Sequence, residues 1–94
     1  GVTQGPRLES AAEIRKLRSD GCDLVGMTSM PEAAIARELK LKYASICIVS
    51  NLAAGISKEK ISIDQIKKNI EARSECISVI IGEYAKVLNK RLSK

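Results

Sequence analysis

The chain contains no histidine, tryptophan or phenylalanine, and only two tyrosines. Without an imidazole there is no base for Ser-His or Cys-His nucleophilic catalysis, no HExxH metal site and no c-type haem attachment. Without a set of aromatic rings there is no platform on which single-stranded nucleic acid stacks. No apolar run approaches the ~20 residues of a membrane span, and no secretory leader is expected. Cysteine is scarce and odd in number. Cys22, Cys47 and Cys76 lie far apart in apolar or helical surroundings, the setting of buried free thiols in a reducing cytoplasm, and no spacing suggests a metal site.

What is present fits one small domain. Ninety-four residues are 45% hydrophobic and 29% charged, an ordinary globular composition. Sixteen Lys and Arg against eleven Asp and Glu leave a net charge of +5. Residues 1–57 contribute +1 and residues 58–94 contribute +4, with the basic groups interleaved with Glu and Asp. That pattern is a solvated helix face; a nucleic-acid or membrane surface needs a denser basic stripe.

Strand and helix signals alternate along the chain. Val2–Gln4 is short and extended and ends at Gly5-Pro6. Ser10-Ala11-Ala12-Glu13 is a capping box, predicting a helix to about Ser19 with Ala12, Ile14 and Leu17 inward and Asp20-Gly21 as its stop. Asp23–Met27 reads as a buried strand. Pro31 and Glu32 open a second helix running to about Lys40. Tyr43–Val49 is nearly continuous, apolar and β-prone, as in a parallel strand covered on both faces. Residues 51–57 form a loop. From Ser62 onward Ile63, Ile66, Ile70, Ile77, Ile81, Tyr84 and Leu88 recur at helical spacing, predicting one long amphipathic helix with a break near Gly82. The expected order is β-α-β-α-β-α, an α/β parallel sheet. Three strands leave two open edges, so the segment is expected to be a piece of a larger sheet or to complete its sheet in an oligomer.

In parallel sheets ligands bind beyond the carboxyl ends of the strands. The polar groups at those ends are Glu9, Thr28, Ser29, Ser50 and Asn51. Thr28 precedes a helix N-terminus, where a hydroxyl and backbone amides favour an anion such as phosphate; it and Ser29 serve equally as helix caps. Glu9 suits a first helical turn, and Asn51 suits a turn. The residues alone reach an α/β domain with a polar rim.

The string Gly5-Pro6-Arg7-Leu8-Glu9, followed after three residues by Glu13 and then by Gly26-Met27-Thr28-Ser29-Met30-Pro31-Glu32, resembles the C-terminal part of trimeric purine nucleoside and methylthioadenosine phosphorylases. The likeness continues through Tyr43-Ala44-Ser45-Ile46, Asn51 and the final helix, so residues 1–94 are expected to be the C-terminal segment of one phosphorylase domain with an α/β/α fold. It implies an enzyme that uses inorganic phosphate as co-substrate and no other cofactor, releasing a free purine and ribose 1-phosphate. The intact family member is a cytoplasmic homotrimer, with no nucleic-acid or membrane partner. By resemblance, Met27 packs under the ribose, Thr28 contacts phosphate and Leu8 lies against the base. Glu9, Ser50 and Asn51 fall at base-recognition positions, Asn51 serving N7 as the catalytic residue. Adenine-selective relatives place an Asp near N7 and lack the Glu, so Glu9 with Asn51 implies a 6-oxopurine. Ile63 falls where relatives that bind a free 5′-hydroxyl carry His; an apolar residue there packs on a thioether. Together these imply a methylthioinosine-type substrate. The alternatives are methylthioadenosine phosphorolysis and a non-catalytic structural remnant. The family's glycine-rich phosphate loop is not among these residues, so this segment alone is expected to be inactive.

Overall fold

In a computed structural model of the protein, residues 1–93 are described. They form three helices, α1 (Ala11–Ser19), α2 (Ser29–Glu38) and α3 (Ile63–Leu92). The described residues contain no β-strand. The expected α/β sheet is therefore overturned: among the described residues the only pairing is an isolated parallel bridge between Val2 and Gly26, made by Thr3 N–H to the Gly26 carbonyl (2.9 Å) and Gly26 N–H to the Gly1 carbonyl (3.1 Å). Tyr43–Val49 runs without regular structure, and Tyr43, Ile46 and Val49 are exposed. The reason is that a strand's backbone groups are satisfied only by a second strand, whereas a helix satisfies its own. A run as apolar as 43–49 carries the composition of a strand but finds no ladder partner among the described residues.

The locally encoded features form as expected. Ser10 Oγ accepts from the Glu13 amide (3.2 Å) while the Ser10 amide donates to Glu13 Oε2 (2.6 Å), satisfying two groups that a helix start leaves orphaned. At the other end Gly21 has a positive φ of 88°, and Cys22 N–H returns to the Leu17 carbonyl at 3.0 Å, closing α1 with a glycine in the left-handed conformation. Ile14 is buried and Leu17 half-buried, but Ala12 is exposed and Ala11 takes its place inward. A Cβ added to Gly55 would lie 2.7 Å from Ala11 Cβ, so the segment after residue 51 approaches α1 through a glycine. The second helix begins two residues before Pro31, which thus sits in the first turn, where its missing N–H costs no hydrogen bond. The third helix runs unbroken through Gly82; the expected break is absent. Asp64 in its first turn and Lys90 and Arg91 in its last complement the helix dipole.

The described residues divide into two compact units, one of residues 1–47 and 52–61 and the other of 48–51 and the described residues from 62 onward. The first holds α1 and α2 and contains the two buried apolar residues, Ile14 and Ala36. The second is built on α3, none of whose residues is buried. Cys22 is half-buried, but Cys47 and Cys76 are exposed free thiols, contrary to the expectation of burial.

Candidate functional site

In the first unit the chain turns back after Gln4 and brings Thr3 and Glu9 together. Gly5 has a φ of +62°, and a side chain there would meet Met27 Sδ at 2.5 Å; only glycine serves both requirements. The close approach lays Met27 against the turn that carries Leu8 and Glu9. Thr3 Oγ1 donates to Glu9 Oε1 at 2.5 Å, and the pair is partly buried. Thr3, Gln4, Gly5, Arg7, Glu9 and Glu13 line a small polar cleft.

The opposite wall of that cleft is fixed by charge. Arg7 reaches Glu13 with both guanidinium nitrogens, Nη2 to Oε1 at 2.7 Å and Nη1 to Oε2 at 2.9 Å, a bidentate pair. Arg7 Nη1 also donates to the Leu8 carbonyl (3.1 Å). The Arg7 hydrogen bond, reinforced by the Ser10 amide, holds the Glu13 carboxyl at about 2, and Glu13 in turn raises the Arg7 guanidinium. Glu13 is thus committed to the helix cap and to Arg7. Glu9, whose only hydrogen-bond partner among the described residues is Thr3, is the carboxylate left to receive a donor from outside.

Thr28 is the N-cap of α2, yet its side chain makes no capping hydrogen bond. The hydroxyl is exposed at the helix N-terminus beside amides that α2 does not use internally. Thr28 thus occupies the capping position without a capping hydrogen bond from its side chain. Leu8 is 44% exposed.

The remaining residues expected from the sequence lie in the second unit. Ser50 Oγ donates to Asn51 Oδ1 at 2.8 Å, and both residues are half-buried. The segment is tied to α3 by Asn69, whose Nδ2 donates to the Ser50 carbonyl at 2.5 Å, while Gln65 Nε2 donates to Asn69 Oδ1 at 3.1 Å. Ile63 opens α3 and is 57% exposed, directly after Ser62, whose Oγ caps the helix by accepting from the Gln65 amide. The two groups of residues thus belong to different units, each with its own local supports. Thr3, Gln65 and Asn69 were not singled out by the sequence. The i, i+4 spacing of Gln65 and Asn69 is a legible helix-face pair; Thr3 has no such signature, because its contact with Glu9 depends on the intervening turn. Among the described residues, no three His, Cys, Asp or Glu side chains are grouped to hold a metal ion.

A family model described as the phosphorylase superfamily matches residues 1–86. The chain belongs to the phosphorylase superfamily. It is 53% identical over 87 residues to a probable S-methyl-5'-thioinosine phosphorylase of Xanthomonas campestris, covering 92% of this chain and 35% of that protein. A protein of the same name from Thermodesulfovibrio yellowstonii is 43% identical over 84 residues, 89% of this chain and 32% of the relative. A 6-oxopurine nucleoside phosphorylase of Pyrococcus furiosus is 48% identical over 79 residues, 84% of this chain and 30% of the relative. The chain therefore spans about a third of the length of these phosphorylases.

Proposed function

We propose that the protein carrying these residues is a purine nucleoside phosphorylase that cleaves a 5′-methylthio 6-oxopurine nucleoside with inorganic phosphate. The products are the free base and the 1-phosphate of the methylthio sugar. The observation that carries this reading is Glu9: a carboxylate at a polar cleft, hydrogen-bonded by Thr3 and not drawn into the hydrogen bonds of the Arg7–Glu13 pair. A carboxylate accepts N1–H of a 6-oxopurine, whereas adenine offers no hydrogen there. The names of the similar proteins, two for thioinosine and one for 6-oxopurine nucleosides, support the same class.

In this reading phosphate attacks the anomeric carbon as the glycosidic bond to N9 breaks, and the bonding electrons leave with the purine. Asn51 donates to N7 and stabilises the negative charge that develops on the base, with Ser50 fixing its amide oxygen. Met27 supports the ribose, Leu8 the base and Ile63 the methylthio group. No cofactor besides the phosphate co-substrate is needed, and the protein assembles as a homotrimer. Thr28 holds the phosphate with its hydroxyl at the start of α2.

The test is phosphate-dependent release of hypoxanthine from methylthioinosine by the protein that contains this chain. Thr28→Val should raise the phosphate KM by roughly tenfold or more, the loss of one hydrogen bond to a charged group being worth roughly 1.5–3 kcal/mol, with little change in the nucleoside KM. Hydrolysis that ignores phosphate, or an unchanged phosphate KM in the variant, would contradict the assignment.

A further inference from the structure

The geometry points to Thr3 as a positioning residue that sets base specificity by fixing the Glu9 carboxylate, an inference that rests on the base-reading role of Glu9. Three observations converge on it. Thr3 is itself immobilised, because its amide is bonded to the Gly26 carbonyl at 2.9 Å beside the only β-bridge among the described residues. Its hydroxyl donates to Glu9 Oε1 at 2.5 Å, linking two half-buried residues six apart. Both side chains line the same polar cleft.

A glutamate has three rotatable bonds, and holding it in one arrangement for a ligand costs entropy at the moment of binding. The Thr3 hydroxyl meets that cost in advance. The single hydroxyl hydrogen of Thr3 is given to Oε1, so that oxygen is already engaged as an acceptor. Oε2 accepts no hydrogen bond from the described residues and remains for a donor from the ligand. A 6-oxopurine presents that donor at N1; a 6-aminopurine presents a lone pair and is repelled. Discrimination by buried hydrogen bonds depends on the partner's being unable to turn away. Thr3 supplies that constraint.

The experiment compares wild type, Thr3→Val, Thr3→Ser and Glu9→Gln in the protein that contains this chain. The readouts are the ratio of kcat/KM for methylthioinosine over methylthioadenosine, and the Glu9 carboxyl carbon resonance without ligand. Thr3→Val should lower the ratio by about tenfold, the size of one hydrogen bond. The loss should fall on the nucleoside KM, leave the phosphate KM unchanged and move the Glu9 resonance. Thr3→Ser, which keeps the hydroxyl, should restore both. A Thr3→Val protein with wild-type selectivity and an unmoved Glu9 resonance would overturn the inference, as would Thr3→Ser failing alongside Thr3→Val. If Thr3→Val moves the resonance while Glu9→Gln leaves the selectivity intact, the positioning contact stands and the base-reading role of Glu9 falls instead. Should Thr3→Val unfold the protein, wild type alone decides: the Thr3 hydroxyl proton should exchange slowly with solvent, and fast exchange would refute the contact.

Discussion

Glu13 does two jobs with one carboxylate, and both depend on its charge. It caps α1 through the Ser10 amide (2.6 Å) and chelates Arg7, and these contacts hold its carboxyl at about 2, against an ordinary value near ~4.3. A carboxyl depressed in the folded state contributes stability above the unfolded value, and that contribution is lost as pH falls through the folded one. The Ser10 amide resonance should therefore titrate with a midpoint near 2, and the α1 contribution should be intact above about pH 5 and fade only below ~4. Both partners face solvent, at 70% for the Arg7 side chain and 41% for Glu13, so added salt should weaken the pair. A Ser10 midpoint near the ordinary glutamate value would remove Arg7 from the cap. Glu13→Gln should abolish the titration altogether. The Ser10–Glu13 box was legible because its partners are three residues apart; the part played by Arg7 was not, since its approach depends on how the chain turns at Gly5.

Among the elements, α3 gives the sharpest contrast between local and distant information. Its apolar positions were readable from their spacing, and the helix forms over Ile63–Leu92 because each of its hydrogen bonds is made within four residues. Tyr43–Val49 was equally clear in composition, but a strand is defined by a neighbour that composition does not specify, and none is found among the described residues. The inward face of α1 was legible at Ile14 and Leu17 but missed at the alanines, where Ala11 rather than Ala12 meets Gly55; a one-residue choice between small side chains leaves no hydrophobic signal. Gly82 was expected to break α3 and does not. A Cβ there would meet nothing within 4 Å, so the glycine costs helix stability with no packing return. Gly82→Ala should raise the helical signal and stabilise α3 by about 0.5–1 kcal/mol, measured by urea titration of far-ultraviolet ellipticity. Destabilisation would show that another surface packs closely at this position.

For the whole molecule, burial and coverage frame the function. Ile14 and Ala36 are buried, while Leu39, Leu41, Ile46, Val49, Ile81 and Leu92 are more than half exposed. The chain spans about a third of the similar phosphorylases. No described helix is long and apolar enough to cross a membrane. Glu9 and Asn51, proposed to read the base, were legible as motif positions, as was Ser50 beside Asn51, but Thr3 reaches Glu9 through a chain reversal and Asn69 reaches Ser50 across 19 residues.

Substrate class is tested most directly by the kcat/KM of the protein containing this chain for methylthioinosine against methylthioadenosine, with inosine as the control for the 5′ group. Sites that hydrogen-bond a polar edge discriminate by ~10⁴ or more, apolar pockets by about 10² at most. Methylthioinosine should accordingly exceed methylthioadenosine by on the order of 10⁴ and exceed inosine by a smaller factor, on the order of 10² or less, through Ile63. Equal or faster turnover of methylthioadenosine would contradict the reading of Glu9 and Asn51.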